Sequence, residues 1–179
     1  MQLETQRLLI REIQHSDWEA IHTYTQLPEV TQYTAWGPNT EADTKAYVEE
    51  AIAQQQQSSR QDYEFAICLK DEGVLMGGIG IHVHNTNAEI GYVLNPDYQG
   101  NGYVTEAARA ILAYGFETLD VHRIYATCRP ANIASEKVMQ KIGMTCEGIM
   151  REHWYYKGEF HDSSLYSILA KEYTARSKS

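Results

Sequence analysis

Apolar residues alternate with polar ones from Leu3 to Ile13, with Leu8, Ile10 and Glu12 on one face and Leu9, Arg11 and Ile13 on the other. That period predicts a strand. Ser16 followed by Glu19 has the spacing of a capping box and predicts a helix running toward Gln26; Thr40 with Asp43 predicts a second one through about Gln57. Strands follow. Tyr63 to Lys70 and Val74 to His84 flank the turn Asp71-Glu72-Gly73 as a hairpin, and Ala88 to Leu94 forms a third strand, stopped by Asn95-Pro96. From about Gly102 to Leu119 the period lengthens to that of a helix, with Val104, Ala108, Ile111, Gly115 and Leu119 on one face. Arg123 to Cys128 is a strand, and Ala131 to Ile142 a helix closed by Gly143. Two last strands, Cys146 to Tyr156 and Ser164 to Leu169, are joined across Lys157-Gly158-Glu159. The order predicts a mixed α/β fold, its sheet covered by helices.

The chain has 179 residues, 43% of them hydrophobic, enough for one domain with a sizeable core. It has no repeat, no Gly/Ser linker, and no apolar run of the roughly 20 residues that a membrane span needs. The charged start, Met1 to Arg11, does not resemble a signal peptide. Cys68, Cys128 and Cys146 form no Cys-x-x-Cys pair, which favours a reducing, cytoplasmic compartment. With 15 basic against 24 acidic residues the net charge is −9, which argues against nucleic acid as a partner. An acidic surface instead suits a cationic acceptor, or serves solubility alone.

Chemistry is concentrated in Gln99-Gly100-Asn101-Gly102-Tyr103-Val104-Thr105, where a strand gives way to a helix through two glycines. The first N–H groups of a helix lack intrahelical partners and carry partial positive charge, so this turn suits a pyrophosphate. It can equally be a purely structural turn. It is not a P-loop, and it lacks the third glycine of a dinucleotide fingerprint. His82 and His84 share a strand face at a spacing that suits metal, but no further ligand adjoins them in sequence, and no metal site is expected.

Gln99-x-x-Gly102-x-Val104 resembles the pyrophosphate signature of the GNAT superfamily of N-acetyltransferases. Asn132-x-x-Ser135-x-x-Val138-x-x-Lys141-x-Gly143 resembles that superfamily's second cofactor segment. Thr5-x-Arg7-Leu8-x-Ile10-Arg11 with Asp17, and Glu147-Gly148, Gly158 and His161-Asp162 with Tyr166, resemble the ribosomal-protein N-terminal acetyltransferase subgroup. The resemblance implies a mostly antiparallel sheet of about seven strands with two splayed parallel ones, Ala88–Leu94 and Arg123–Cys128. Acetyl-coenzyme A would lie between them, held by backbone groups of Tyr92, Val93 and Leu94. Its pyrophosphate would sit on Gln99, Gly100, Asn101, Gly102, Tyr103, Val104 and Thr105. Asn132 and Ser135 would face the pantetheine arm and sulfur, and Lys137 a phosphate.

Many superfamily members place a tyrosine acid where Met139 stands here, so the resemblance gives that role to Ser135. Glu89 is the first candidate for the base, Glu152 the second, and the N–H of Val93 or Leu94 the candidate for the oxyanion. The implied activity is acetyl transfer to a primary amine, foremost a peptide or protein N-terminal α-amine. A polyamine or antibiotic amine, and a non-catalytic acetyl-coenzyme A sensor, remain alternatives. The protein is expected to be a monomer or homodimer.

Overall fold

The computed structural model describes residues 1–177. Eight strands form one sheet in the order β1-β2-β3-β4-β5-β6-β8-β7. They are β1 (Gln2–Glu4), β2 (Leu8–Glu12), β3 (Asp62–Leu69), β4 (Leu75–His84), β5 (Asn87–Leu94), β6 (Arg123–Cys128), β7 (Thr145–Tyr156) and β8 (Glu159–Leu169). Every pairing is antiparallel except β5 with β6. The helices are α1 (Trp18–Thr25), α2 (Pro28–Thr31), α3 (Glu41–Gln55), α4 (Tyr103–Glu117), α5 (Ile133–Lys141) and α6 (Ala170–Ser177). Among the described residues no helix is long and apolar enough to cross a membrane.

Two apolar layers flank the sheet. On one face α4 and α5 bury Ile111, Leu112 and Met139 against Leu8, Ile10, Phe65, Ile79, Ile81, Ile90 and Ile124. On the other, α1 and α3 bury Ile21, Tyr24, Val48 and Ala51 against Ile13, Ala66 and Cys68. Odd and even positions of β3 therefore serve opposite cores, which explains its nearly unbroken burial from Phe65 to Cys68.

The expected strand Leu3–Ile13 is a hairpin, β1 and β2, folded at Thr5–Arg7 with Leu3 opposite Ile10. Alternation persists on both sides of the turn, so period alone concealed it. The first helix is entered differently too. Gln14 and Asp17, not Ser16 and Glu19, make the reciprocal caps of a 3-10 turn before α1. Asp17 is held there by Arg11, whose guanidinium makes two bonds of 2.7 and 2.8 Å to it. Thr40 and Asp43 cap α3 as expected. α2 and α6 were not expected, and eight strands form where about seven were counted.

Candidate active site

β5 and β6 pair only over Asn87–Glu89 and Arg123–Tyr125, and beyond that point they part. β5 stays on β4 along its whole length, and β6 stays on β8, so the two halves of the sheet open as a V. The N–H of Asn95 donates to Met76 at 2.8 Å, in register with the pair Gly77–Leu94. Antiparallel exchange alternates, so Val93, Gly91 and Glu89 turn their peptide groups toward β4. Ile90 turns its groups toward the end of the β6 ladder, and Tyr92 and Leu94 turn theirs into the gap. This corrects the expected role of Val93: its N–H belongs to the β4 ladder, whereas those of Tyr92 and Leu94 face the opening. Unpaired edge groups of this kind accept an extended ligand as an added strand.

The turn into α4 lies at the open end. Gly100 and Gly102 have φ of +80° and +79°, which a side chain strains to adopt. Gly102 caps α4 without a side-chain bond, and the first helical bond comes from Glu106 to the Gly102 carbonyl at 3.1 Å. The N–H groups of Tyr103, Val104 and Thr105 thus have no intrahelical partner. Asn101 Nδ2 donates to the carbonyls of Tyr98 and Gln99, tightening the turn from within.

The Thr5-x-Arg7 segment fastens this loop. Glu106 accepts from Thr5 Oγ1 at 2.6 Å, from the Arg7 N–H at 2.9 Å and from Arg7 Nε at 2.7 Å, while Arg7 Nη1 donates to the Asn101 carbonyl at 3.0 Å. Burial raises the Glu106 carboxyl, but these donors outweigh it and hold it below its ordinary value. A cavity of about 430 Å³ opens beside the loop, with Arg7, Gly102, Thr105, Arg109 and Lys141 on its wall. Glu106 is on the same wall and pairs with Arg7, which leaves Arg109 and Lys141 as the cations beside a helix N-terminus that suit a phosphate ligand. Arg7, Arg109 and Lys141 were not among the expected contacts. Lys137, which was, is exposed on α5 and does not line this cavity.

At the base of the V, the Tyr92 hydroxyl lies 2.9 Å from Ser135 Oγ and donates to the Ser135 carbonyl at 3.1 Å. Burial drives the Tyr92 phenol upward, so it stays protonated. Met139 is wholly buried. No tyrosine stands at this position of α5, and the Tyr92 hydroxyl reaches the same helix from β5, a side chain the sequence reading used only for its backbone. Asn132 is the N-cap of α5, its Oδ1 accepting from the Ser135 N–H at 3.2 Å. That bond sets the first turn of α5, on which Ser135 stands. Beside Ser135, burial pushes the Cys128 thiol up to about 11, which leaves it un-ionised at neutral pH.

The α1/α3 side of the V carries the odd positions of β5 and β6. Glu89 sits at the last paired position, 3.4 Å from Thr127 Oγ1, and Gly91 beyond it is open, with nothing within 4 Å of where a Cβ would stand. A second cavity of about 600 Å³ lies farther out, between the β6–α5 loop, the segment after α2 and the β7–β8 hairpin. Glu152 is on its wall and Glu89 is not. Glu152 has φ +50° at a register shift in β7, its N–H held by Asp162 at 2.8 Å. Lys157 and Tyr156 tie the hairpin to the Thr31 and Tyr33 carbonyls, at 2.7 and 3.4 Å. His82 is taken by Asp62 at 2.9 Å and Glu64 at 3.3 Å, and no cluster of three or more metal-ligating side chains occurs among the described residues.

Comparison with known proteins agrees with this architecture. The family model described as an acetyltransferase (GNAT) domain matches residues 7–145. The uncharacterized N-acetyltransferase YnaD of Bacillus subtilis is 41% identical over 175 residues, covering 97% of this chain and 99% of that protein. The crystal structure of a GNAT-family acetyltransferase from Bacillus anthracis has a TM-score of 0.86 at 39% identity, covering 96% of this chain and all of that one. The ribosomal L7/L12 α-N-protein acetyltransferase RimL, solved in complex with coenzyme A, shares the fold with a TM-score of 0.83 at 23% identity, over 94% of this chain and 98% of its own. The chain belongs to the GNAT family, the acetyl-coenzyme A-dependent N-acetyltransferases.

Proposed function

We propose that the protein transfers acetyl from acetyl-coenzyme A directly to a primary α-amine, such as a peptide N-terminus, in a ternary complex. One observation carries this reading: beyond the last β5–β6 pair, Glu89–Tyr125, where the two strands have parted, the Tyr92 and Ser135 hydroxyls meet at 2.9 Å. The unpaired groups of Tyr92 and Leu94 fit a pantetheine amide chain, and the α4 turn with Arg7, Arg109 and Lys141 fits the phosphates. Bound in that way, the thioester meets Ser135. The amine nitrogen bonds to the carbonyl carbon, the C–S bond breaks, and the departing thiolate accepts a hydrogen bond from Ser135 Oγ; the proton lost by the amine leaves through a carboxylate or water, and the thiolate takes up one from water.

A thiol of pKa about 8.5 leaves readily, so a hydroxyl suffices there. The N–H of Leu94 or Tyr92 faces the developing oxyanion. An acyl-cysteine route is disfavoured because Cys128 keeps its proton. The amine must give up a proton, which for an α-amine of pKa about 7.7–8.0 costs about 1 kcal/mol at neutral pH. Glu89, beside Thr127, and Glu152, in the outer cavity, are the two candidate bases on the acceptor side. RimL, by its name, acts on a protein α-amine, which agrees with this choice of acceptor.

The test is thiol release from acetyl-coenzyme A with pooled N-terminal peptides, polyamines and aminoglycosides. Turnover with the peptides is expected. Binding of acetyl-coenzyme A without turnover on any pool would make the protein a sensor, and preference for polyamines would displace the α-amine. With a peptide acceptor, Glu89→Gln should slow kcat/KM at pH 6.5 and matter less at pH 9, where free amine is abundant. Equal rates at pH 6.5 would pass the role to Glu152.

A further inference from the structure

On the α1/α3 face of the sheet a chain of three titratable side chains runs from the open cleft to the surface. β3, β4 and β5 bring Glu64, Gly80 and Gly91 into one row across the strands, and Asp62, His82 and Glu89 into the next. Glu64 Oε1 faces His82 Nε2 at 3.3 Å, and His82 Nδ1 lies 2.9 Å from Asp62 Oδ1. The contact exists because position 80 is glycine: a Cβ there would stand 2.9 Å from Glu64 Oε1 and 3.0 Å from His82 Nε2. The Glu64 carboxylate therefore lies over β4, one strand spacing, about 4.8 Å, from Gly91. Gly91 is exposed two residues beyond the last β5–β6 pair, so the carboxylate borders the mouth of the V. Side-chain exposure rises along the chain, from 18% at Glu64 to 31% at His82 and 39% at Asp62, which gives a proton a way out to water. The Tyr47 hydroxyl, from α3, holds the other Glu64 oxygen at 2.9 Å. When Glu64 is ionised and neutral His82 carries its proton on Nδ1, toward Asp62, two acceptors face each other. One added proton turns that contact into a hydrogen bond. Burial raises the Glu64 carboxyl, against the pull of His82 and Tyr47, and so makes it a better base. The other ionisable groups around it are Tyr24 on α1, Glu50 on α3 and Asp62 on β3.

We infer that Glu64 takes a proton from the acceptor amine and passes it to His82, with Asp62 holding the imidazole in place. This rests on the acetyl-transfer reading above and adds to its two candidate bases a third, with an outlet for the proton. With the thioester carbonyl on the N–H of Tyr92, the acyl carbon stands beside Gly91, and an amine arriving from the α1/α3 side comes down on that glycine. No atom lies within 4 Å of where its Cβ would be, and Glu64 is in reach directly or through one water. Glu89 flanks the same glycine from two positions back, but its carboxylate leans on Thr127, whereas Glu64 abuts an imidazole. The ammonium gives one proton to Glu64 Oε1 and becomes the nucleophile. That proton moves to His82 Nε2, and the imidazolium, held between two carboxylates, loses a proton to water before the next turnover. The nitrogen's second proton, shed once it is acylated, leaves through water.

The experiment follows thiol release by the intact protein from pH 6 to 9, with acetyl-coenzyme A and whichever of the peptide, polyamine and aminoglycoside pools the wild type turns over. Glu64→Gln keeps the shape of the side chain but takes no proton. It should lower kcat/KM by about 30-fold or more at pH 6.5, with the thermal shift caused by acetyl-coenzyme A unchanged. Glu64→Asp, shorter but still basic, should keep more activity than Glu64→Gln, the reverse of the order expected if the carboxylate served packing alone. His82→Gln should lose less than Glu64→Gln and should shift the acidic limb of the profile, because Glu64 then works without the imidazole. A folded Glu64→Gln protein with wild-type rates, a Glu64→Gln protein faster than Glu64→Asp, or a His82→Gln profile that coincides with wild type would overturn the inference and leave acetyl transfer intact. Absence of thiol release by the wild type with every pool would instead overturn acetyl transfer, and this inference with it.

Discussion

The Tyr92 phenol and the Ser135 hydroxyl touch at 2.9 Å although 43 residues separate them. If they act as one donor on the departing sulfur, removing either should remove most of the effect of both. Ser135→Ala should lower kcat more than it weakens acetyl-coenzyme A binding, Tyr92→Phe should lower it less, and the double variant should fall short of their product. Steady-state kinetics with varied acetyl-coenzyme A measure this, and a loss confined to KM would make Ser135 a binding contact only. Glu106 makes a second prediction at this scale. Its folded pKa lies below the ordinary value, because Thr5 and Arg7 donors outweigh its burial. The folded state therefore binds its proton less readily than the unfolded chain. Stability from this group is present above the ordinary carboxylate pKa and is lost as pH falls through the depressed one. Urea midpoints from pH 7 to 3 should show Glu106→Gln less stable than wild type at neutrality, with the gap closing in acid. Identical midpoints at pH 7 would remove the clamp from the stability account.

Among the elements, α4 does two jobs that its two ends divide. Its first turn offers unpaired N–H groups, and its last turn packs tightly enough on the sheet that a Cβ at Gly115 would stand 2.6 Å from Ile124 Cδ1 and 2.9 Å from Ile81 Cδ1. Close packing there seats the helix on β4 and β6, and the β1–β2 turn holds the loop before its first turn through Arg7. Gly102→Asp puts a strained side chain and a negative charge where the phosphates are proposed to sit. It should abolish the rise in melting temperature caused by acetyl-coenzyme A while far-ultraviolet circular dichroism stays native. A retained rise would place the nucleotide elsewhere.

For the molecule as a whole, charge and cleft act in opposite senses on the two substrates. The net charge of −9 repels a polyphosphate ligand, yet Arg7, Arg109 and Lys141 stand together at one cavity. The opposite end of the cleft carries Glu152, Glu159 and Asp162 beside Arg129. Added salt should therefore raise KM for a cationic acceptor, since screening removes long-range attraction. A KM unchanged between about 0.02 and 0.5 M salt would leave the acidic surface a matter of solubility. Acetyl-coenzyme A at 100 times its dissociation constant should stabilise the native state by about 2.7 kcal/mol, because the unfolded chain has no cleft to bind it. No thermal shift at millimolar acetyl-coenzyme A would deny the cleft its ligand.

Local rules were enough wherever a contact lies close in the chain. The alternation in β2 to β6, the Thr40–Asp43 caps, the α4 period and the glycine turn before it were all legible from neighbours a few residues apart. The β1–β2 turn escaped because alternation continues across it, and the Gln14–Asp17 cap because Asp17 is chosen by Arg11 rather than by its nearest neighbours alone. Family resemblance pointed to the loop and Ser135, but not to the side chains that the fold brings beside them. Tyr92 reaches Ser135 only because β5 and β6 part after three residue pairs, and Arg7 reaches Asn101 across 94 positions. His82 looks like any other strand histidine until the β3–β4 register sets it between Asp62 and Glu64. Sequence sets each strand's faces through the backbone's two-residue period. Which residues from distant strands share a cavity is decided by pairing order, register and the point at which a ladder stops, and these are properties of the assembled sheet.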